Sequence, residues 1–163
     1  MKRSSDIFCL QTSRIAICCW IAVAAFFVRV GLKPISSPEI DSFAKLHLLL
    51  LLFPGYYCAA FSLMGVSFVS GLWLWRSPLV RRRVQIAFLV LLGLSLVLTM
   101  IDWLWIYKPL EEMVRVQINE MSAPPANFRD YHIASRNINM VHVSLAGLAM
   151  FCALLNGKRE TVL

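Results

Sequence analysis

The chain is predicted to be an all-α, polytopic membrane protein. Four transmembrane helices would form one bundle, with a short amphipathic interfacial helix in the third connection. Three observations lead there. Four long apolar stretches lie at about 15–32, 46–75, 84–107 and 133–156. Each meets or approaches the ~20 residues that a helix needs to cross a hydrocarbon core about 30 Å thick. The 163 residues are 59% hydrophobic, with a mean hydropathy of +0.69, richer than the roughly 45–50% usual in soluble domains. The basic residues also sort by connection, as topology signals do.

The charge count makes the sorting concrete. The N-terminal segment, the second connection and the C-terminal segment hold nine of the 16 basic residues against two acids, Asp6 and Glu160. The other two connections hold seven basic residues matched by six acids. The positive-inside rule then places both termini and the run Arg81, Arg82 and Arg83 in the cytoplasm. An even number of spans agrees. The expected location is a multi-pass membrane protein of the plasma membrane, or of the inner membrane if bacterial. The net charge of +7 would raise nucleic acid in a soluble protein. Here the arginine run reads as a topology signal on a short loop that also favours anionic headgroups. The expected partners are the bilayer and those headgroups, without nucleic acid.

Taken in order, residues 1–13 read as a polar cytoplasmic tail. The first span follows. Ala22, Val23 and Ala24 mimic a signal-peptidase site, but the apolar run continues past them, which favours an uncleaved span. Gly31 and Pro34 close it. Residues 39–46 form a polar helical lead-in to the second run, which is longer than one straight crossing. Pro54 and Gly55 lie inside that run, and proline removes a backbone donor, so a kink or break is expected at 53–55. Gly55, Ala59 and Ser62 make a small-residue face. Trp73 and Trp75 are placed as interfacial anchors. The third span ends among the aromatics at 103–107, before Pro109. Residues 111–121 have the spacing of an amphipathic helix on the outer surface, which 122–125 break. Asn127, with Asp130 three residues on, looks like a capped helix start. The five cysteines lie in apolar spans or the tail, so no disulfide framework is implied.

Function must lie in the polar residues left inside the spans. On the last helix His132, Ser135, Asn139 and His142 recur at steps of three, four and three, hence on one face. That face continues as Ala146, Ala149 and Ala153, a close-packing stripe. On the third, Ser95, Thr99 and Asp102 recur similarly. Asp102 is the only acid inside any span, roughly 7–8 Å from the outer end at 1.5 Å per residue. His47 enters at the mouth of the second helix. His47, Asp102, His132 and His142 share one depth and could hold a first-row metal. The group could also relay protons. The competing reading is interhelical hydrogen bonding, with Lys108 or Arg136 reaching down to Asp102. A single haem would take His47 with His142. The cofactor is otherwise unassigned.

The ordered motifs resemble the family of transmembrane protein 205 and its bacterial relatives, a small polytopic membrane domain of unknown function. The likeness rests on Phe53-Pro54-Gly55-Tyr56-Tyr57, on Pro109, and on the run from Phe128 through His132 and Ser135 to Asn139. It implies that Pro54, His132, Ser135 and Asn139 are the positions of interest. The chain departs from the pattern near Asp102, where an Asn is common at the position of Trp103.

No nucleophile–base pair, phosphate loop or HExxH zinc motif is present, so an enzyme is not expected. The leading expectation is a non-enzymatic membrane protein. Its polar site of His132, Ser135, Asn139, His142, Asp102 and His47 would bind or pass a metal ion, a proton or a small polar solute. Four short helices offer little for a pore, so transport would call for a homo-oligomer. The alternatives are a structural or assembly protein and a haem-binding redox subunit.

Overall fold

The computed structural model describes residues 2–121 and 125–156. Its elements are α1 (Lys2–Phe26), α2 (Lys33–Ser36), α3 (Ser42–Trp73), α4 (Arg82–Ile101), α5 (Lys108–Glu120) and α6 (Phe128–Leu155). Four helical stretches are long and apolar enough to cross a membrane: Arg3–Ser36, Ser42–Arg76, Arg82–Glu120 and Phe128–Leu155. They run up and down, so α1 and α4 start at one end of the bundle, where α3 and α6 stop. This is called the terminal end below, and the opposite end distal. The main packing pairs are α4 with α6 and α1 with α3, and α3–α4 and α1–α6 close the ring.

The first helix starts at Lys2 and not near residue 15, so the polar tail is instead the first turns of α1. The reason is burial. Asp6 and Ser13 are 4% and 3% exposed. Ser77 Oγ donates to Asp6 Oδ2 at 2.7 Å. Ser13 and Ser67 exchange bonds across α1 and α3, Ser67 Oγ reaching the Ser13 carbonyl at 2.8 Å. The other terminal-end groups close the same way. Gln85 donates to the Gly71 carbonyl at 2.6 Å. Asn156 donates to Gln85 Oε1 and accepts from the Arg81 backbone N–H. Arg14 donates to the Ala153 carbonyl at 3.0 Å.

Helix α3 runs unbroken through Pro54, so of the kink or break expected at 53–55 the break does not occur. Pro54 and Gly55 are both exposed, which lets the missing donor face outward, away from the packed bundle. Asp41 caps α3, its carboxylate accepting from Phe43 N and Ala44 N. Of the small-residue face expected on α3, Ala59 packs against the core while Gly55 and Ser62 are exposed.

The third span and the amphipathic helix are one continuous rod, joined through a π-helical segment at Asp102–Tyr107. A second π segment, Phe27–Gly31, lies between α1 and α2. Both precede a proline in the first turn of the next helix, Pro109 and Pro34. A proline ring crowds the carbonyl four residues back. Those carbonyls, of Trp105 and Val30, fall inside the two widened turns, which relieve the clash without ending the rod. Helix α6 starts at Phe128, but Asn127 makes no side-chain cap. Its backbone carbonyl accepts from Asp130 N and Tyr131 N instead.

The core is a column of α1, α3, α4 and α6 residues. It includes Ile17, Trp20, Met64, Phe88, Leu92, Ala146 and Ala149, each 1% exposed or less. The alanines on α6 let α4 approach closely, as expected. Large apolar side chains cover the outside, among them Phe8, Leu51, Val69, Trp105 and Phe151.

Candidate functional site

Asp102 has no exposed surface. It sits where α4 passes into its π turn, and a carboxyl group buried there is costly unless it is bonded. Its Oδ2 accepts two hydrogen bonds, from the Tyr57 hydroxyl and from Asn139 Nδ2, both at 2.6 Å. Its Oδ1 has no hydrogen-bond partner among the described residues. No base reaches it. Lys108 lies instead over the Trp103 ring, 4.8 Å from its centroid, and Arg136 is exposed.

Asn139 is the joint of the site. Its amide nitrogen faces three acceptors, Asp102 Oδ2, the Ser135 carbonyl at 3.0 Å and the Ser135 hydroxyl at 3.3 Å. Its oxygen faces the Tyr56 hydroxyl at 3.1 Å and His142 Nε2 at 2.9 Å. An ionised Asp102 accepts from the amide nitrogen and repels the amide oxygen, which goes with this orientation in the carboxylate form. In that orientation the His142 nitrogen facing the amide oxygen acts as a donor, so Nε2 carries the proton. The other ring nitrogen lies 3.3 Å from Thr99 Oγ1, whose hydroxyl also reaches the Ser95 carbonyl at 2.8 Å. Ser95 Oγ in turn donates to the His142 backbone carbonyl at 2.9 Å.

Aromatic rings close the site. Trp20 of α1 stacks on the His142 imidazole, with centroids 6.1 Å apart and planes at 19°. It also packs on Tyr56 at 5.2 Å. Tyr107 lies 4.9 Å from Tyr57 and stacks on Phe53. The Trp20 indole N–H and the Tyr107 hydroxyl find no hydrogen-bond partner among the described residues. All four long helices therefore contribute to one buried group.

Of the expected site residues, the structure joins Asp102, Ser135, Asn139 and His142. His132 and His47 are not part of it. Both are exposed, and the His47 ring bonds its own helix at the Phe43 carbonyl. Equal depth put them level with Asp102, but the helix azimuth turns them outward. The expected four-ligand metal set is thus not assembled. Among the described residues no group of three or more His, Cys, Asp or Glu side chains is placed to hold a metal. The His47–His142 haem pair fails likewise, one partner being exposed and the other buried with both ring nitrogens engaged.

Tyr56, Tyr57 and Trp20 are the site residues that periodicity missed. They read as filling in apolar runs, although each carries a polar atom that must find a partner when buried.

No family model, curated protein or solved structure matches this chain. Function must be argued from the site itself.

An acid, an amide and an imidazole in series do not make a through-going proton wire. An amide passes a proton only through a disfavoured tautomer, so Asn139 separates Asp102 from His142 while fixing both. The carboxyl group is thus set apart from the imidazole, with Tyr57 as its hydroxyl neighbour.

Proposed function

We propose that the chain is a multi-pass membrane protein with both termini in the cytoplasm. Its functional centre would be Asp102, acting as a proton-exchanging group in the outer half of the bilayer. The observation that carries this reading is the asymmetry of the carboxyl group. One oxygen takes two short bonds and the other takes none among the described residues, with the whole side chain buried and no base beside it. An ionisable group deep in an apolar bundle is a functional-site hypothesis by default, because it is expensive to keep there. Of the ligands first considered, a proton needs neither several convergent donors nor an open cavity. The exposed apolar girdle and the excess of arginine at the terminal end support the membrane topology. Kinship with the transmembrane protein 205 family belongs to the same proposal and rests on the sequence motifs alone.

The test is infrared spectroscopy of protein in lipid. A protonated carboxyl band that responds to pH in the wild type and vanishes in Asp102→Asn supports the reading. A wild-type spectrum in which no such band changes, over the range where the bundle stays folded, overturns it.

A structural reading is favoured by a separate observation, that the hydrogen bonds join α3, α4 and α6 while Trp20 packs α1 onto them. On that reading the polar stripe holds the bundle, no carboxyl band responds to pH, and Asp102→Asn changes stability alone.

A further inference from the structure

At the terminal end, a groove runs between the first turns of α1 and the end of α3. It has two contiguous parts of about 400 Å³ and 330 Å³, both lined by Ser5 and Trp73. Ser4 and Phe8 line the first part, and Asp6, Arg76 and Ser77 the second. Its chemistry is graded. Phe8 and Trp73 are 71% and 67% exposed, large apolar surfaces that open outward. Arg76, five residues before Arg81, is also exposed.

The acid in the groove does not cancel this charge at the rim. Asp6 is 4% exposed and turned inward, its Oδ2 taken by the Ser77 hydroxyl. The side chains of Arg76, Arg82 and Arg83 form no hydrogen bond or ion pair among the described residues. An exposed arginine in a groove with two exposed aromatic faces, beside the Trp73 and Trp75 anchors, matches an amphiphile with an anionic head.

The geometry points to this groove as the seat of one anionic glycerophospholipid. Its phosphate would lie on Arg76 in the second part, and its first methylenes on Trp73 and on Phe8 in the first. This goes beyond a general attraction of the arginine loop for headgroups, because it assigns a site with a defined wall and a defined cation. It rests on the membrane part of the proposed function and is independent of the role given to Asp102.

Tryptophan quenching in vesicles tests it. Full-length protein is reconstituted in phosphatidylcholine, and brominated phosphatidylglycerol or brominated phosphatidylcholine is titrated in. The phosphatidylglycerol should quench at lower mole fraction, and Trp73→Phe should remove most of that excess. Arg76→Gln should weaken the preference about fivefold, the worth of one basic residue at a membrane surface. Arg83→Gln, which removes the same charge outside the groove, should weaken it less. Equal quenching by the two lipids overturns the proposal, as does an equal effect of Arg76→Gln and Arg83→Gln. Flotation of the same samples separates the two readings. Protein that floats with vesicles but shows no lipid preference sinks the groove alone. Protein that does not float sinks the membrane reading and the groove with it.

Discussion

The amide nitrogen of Asn139 stands 2.6 Å from Oδ2 of Asp102, a short approach for an N–H donor to an acid oxygen. The contact crosses from α6 to α4, the most extensively packed pair of helices. Farther along α6, Ala146, Ala149 and Ala153 are buried on the same face, where small side chains let neighbouring backbones come close. Packing stripe and polar site are therefore two parts of one helix face.

Asn139→Ala should cost more stability than any single bond suggests. It leaves Asp102 with Tyr57 alone and strips partners from Tyr56 and His142. Each orphaned buried polar group costs about 1–3 kcal/mol. Thermal denaturation in detergent should show a large loss, and Asn139→Asp, which places a second acid on Asp102, a loss at least as large. Melting within a degree or two of wild type would mean that the network is not closed in solution.

Asp102→Asn should separate chemistry from architecture. The replacement is close to isosteric, and its carbonyl oxygen still accepts from Tyr57 and Asn139 in the Oδ2 position. The amide nitrogen then occupies the side where Oδ1 finds no partner. The expected loss is within about 1–3 kcal/mol, with expression retained. Comparing melting curves with the infrared measurement on the same preparation tells a proton site from helix glue.

His132→Ala and His47→Ala should be nearly silent. Both rings are exposed and outside the network, and surface substitutions away from special features stay within about 0.5 kcal/mol. Metal analysis of the purified double variant should also match wild type. A stoichiometric metal lost with either histidine would show that these rings converge in a way the described chain does not.

These two histidines also mark what was readable in the sequence. Hydropathy placed four spans, since length and apolarity are local properties. The steps of three and four placed Ser135, Asn139 and His142 on one face, since periodicity is local too. Which face meets which neighbour is a tertiary fact, so His132 and His47 were grouped by depth and then found outside. Tyr56 and Tyr57 were hidden for the opposite reason. Their rings belong in an apolar run, and only the partner across the bundle reveals the hydroxyl. The first turns of α1 were missed because Asp6 and Ser13 look like a solvated tail until Ser77 and Ser67 are known to face them.

Asn156→Ala should loosen the terminal end without touching the distal site. Asn156 is 1% exposed and joins Gln85 to the backbone N–H of Arg81. Its loss orphans Gln85 Oε1 in the first turn of α4 and the Arg81 N–H just before it, again about 1–3 kcal/mol each. Hydrogen exchange should rise around 77–85 and at the end of α6, while the amides around Asn139 keep their protection. Uniform loss of protection would mean that the two ends unfold together.

A pair of glycines tests the packing directly. A Cβ at Gly71 would lie 2.6 Å from Phe88 Cε1 and 3.1 Å from Leu89 Cδ2. Phe88 is 1% exposed and Leu89 is 6% exposed, so neither has open space to move into. The Gly71 carbonyl is moreover held by Gln85, which limits how far α3 can retreat from α4. Gly71→Ala should therefore destabilise by the ~1–3 kcal/mol typical of overpacking. Gly147 is the matched control, with nothing within 4 Å of its would-be Cβ. There alanine should be neutral, or stabilising by up to ~1 kcal/mol through helix propensity. Melting both variants in one detergent checks the α3–α4 contact, because the two changes are chemically the same and only their surroundings differ. If Gly71→Ala melts with Gly147→Ala, α3 and α4 are farther apart than described.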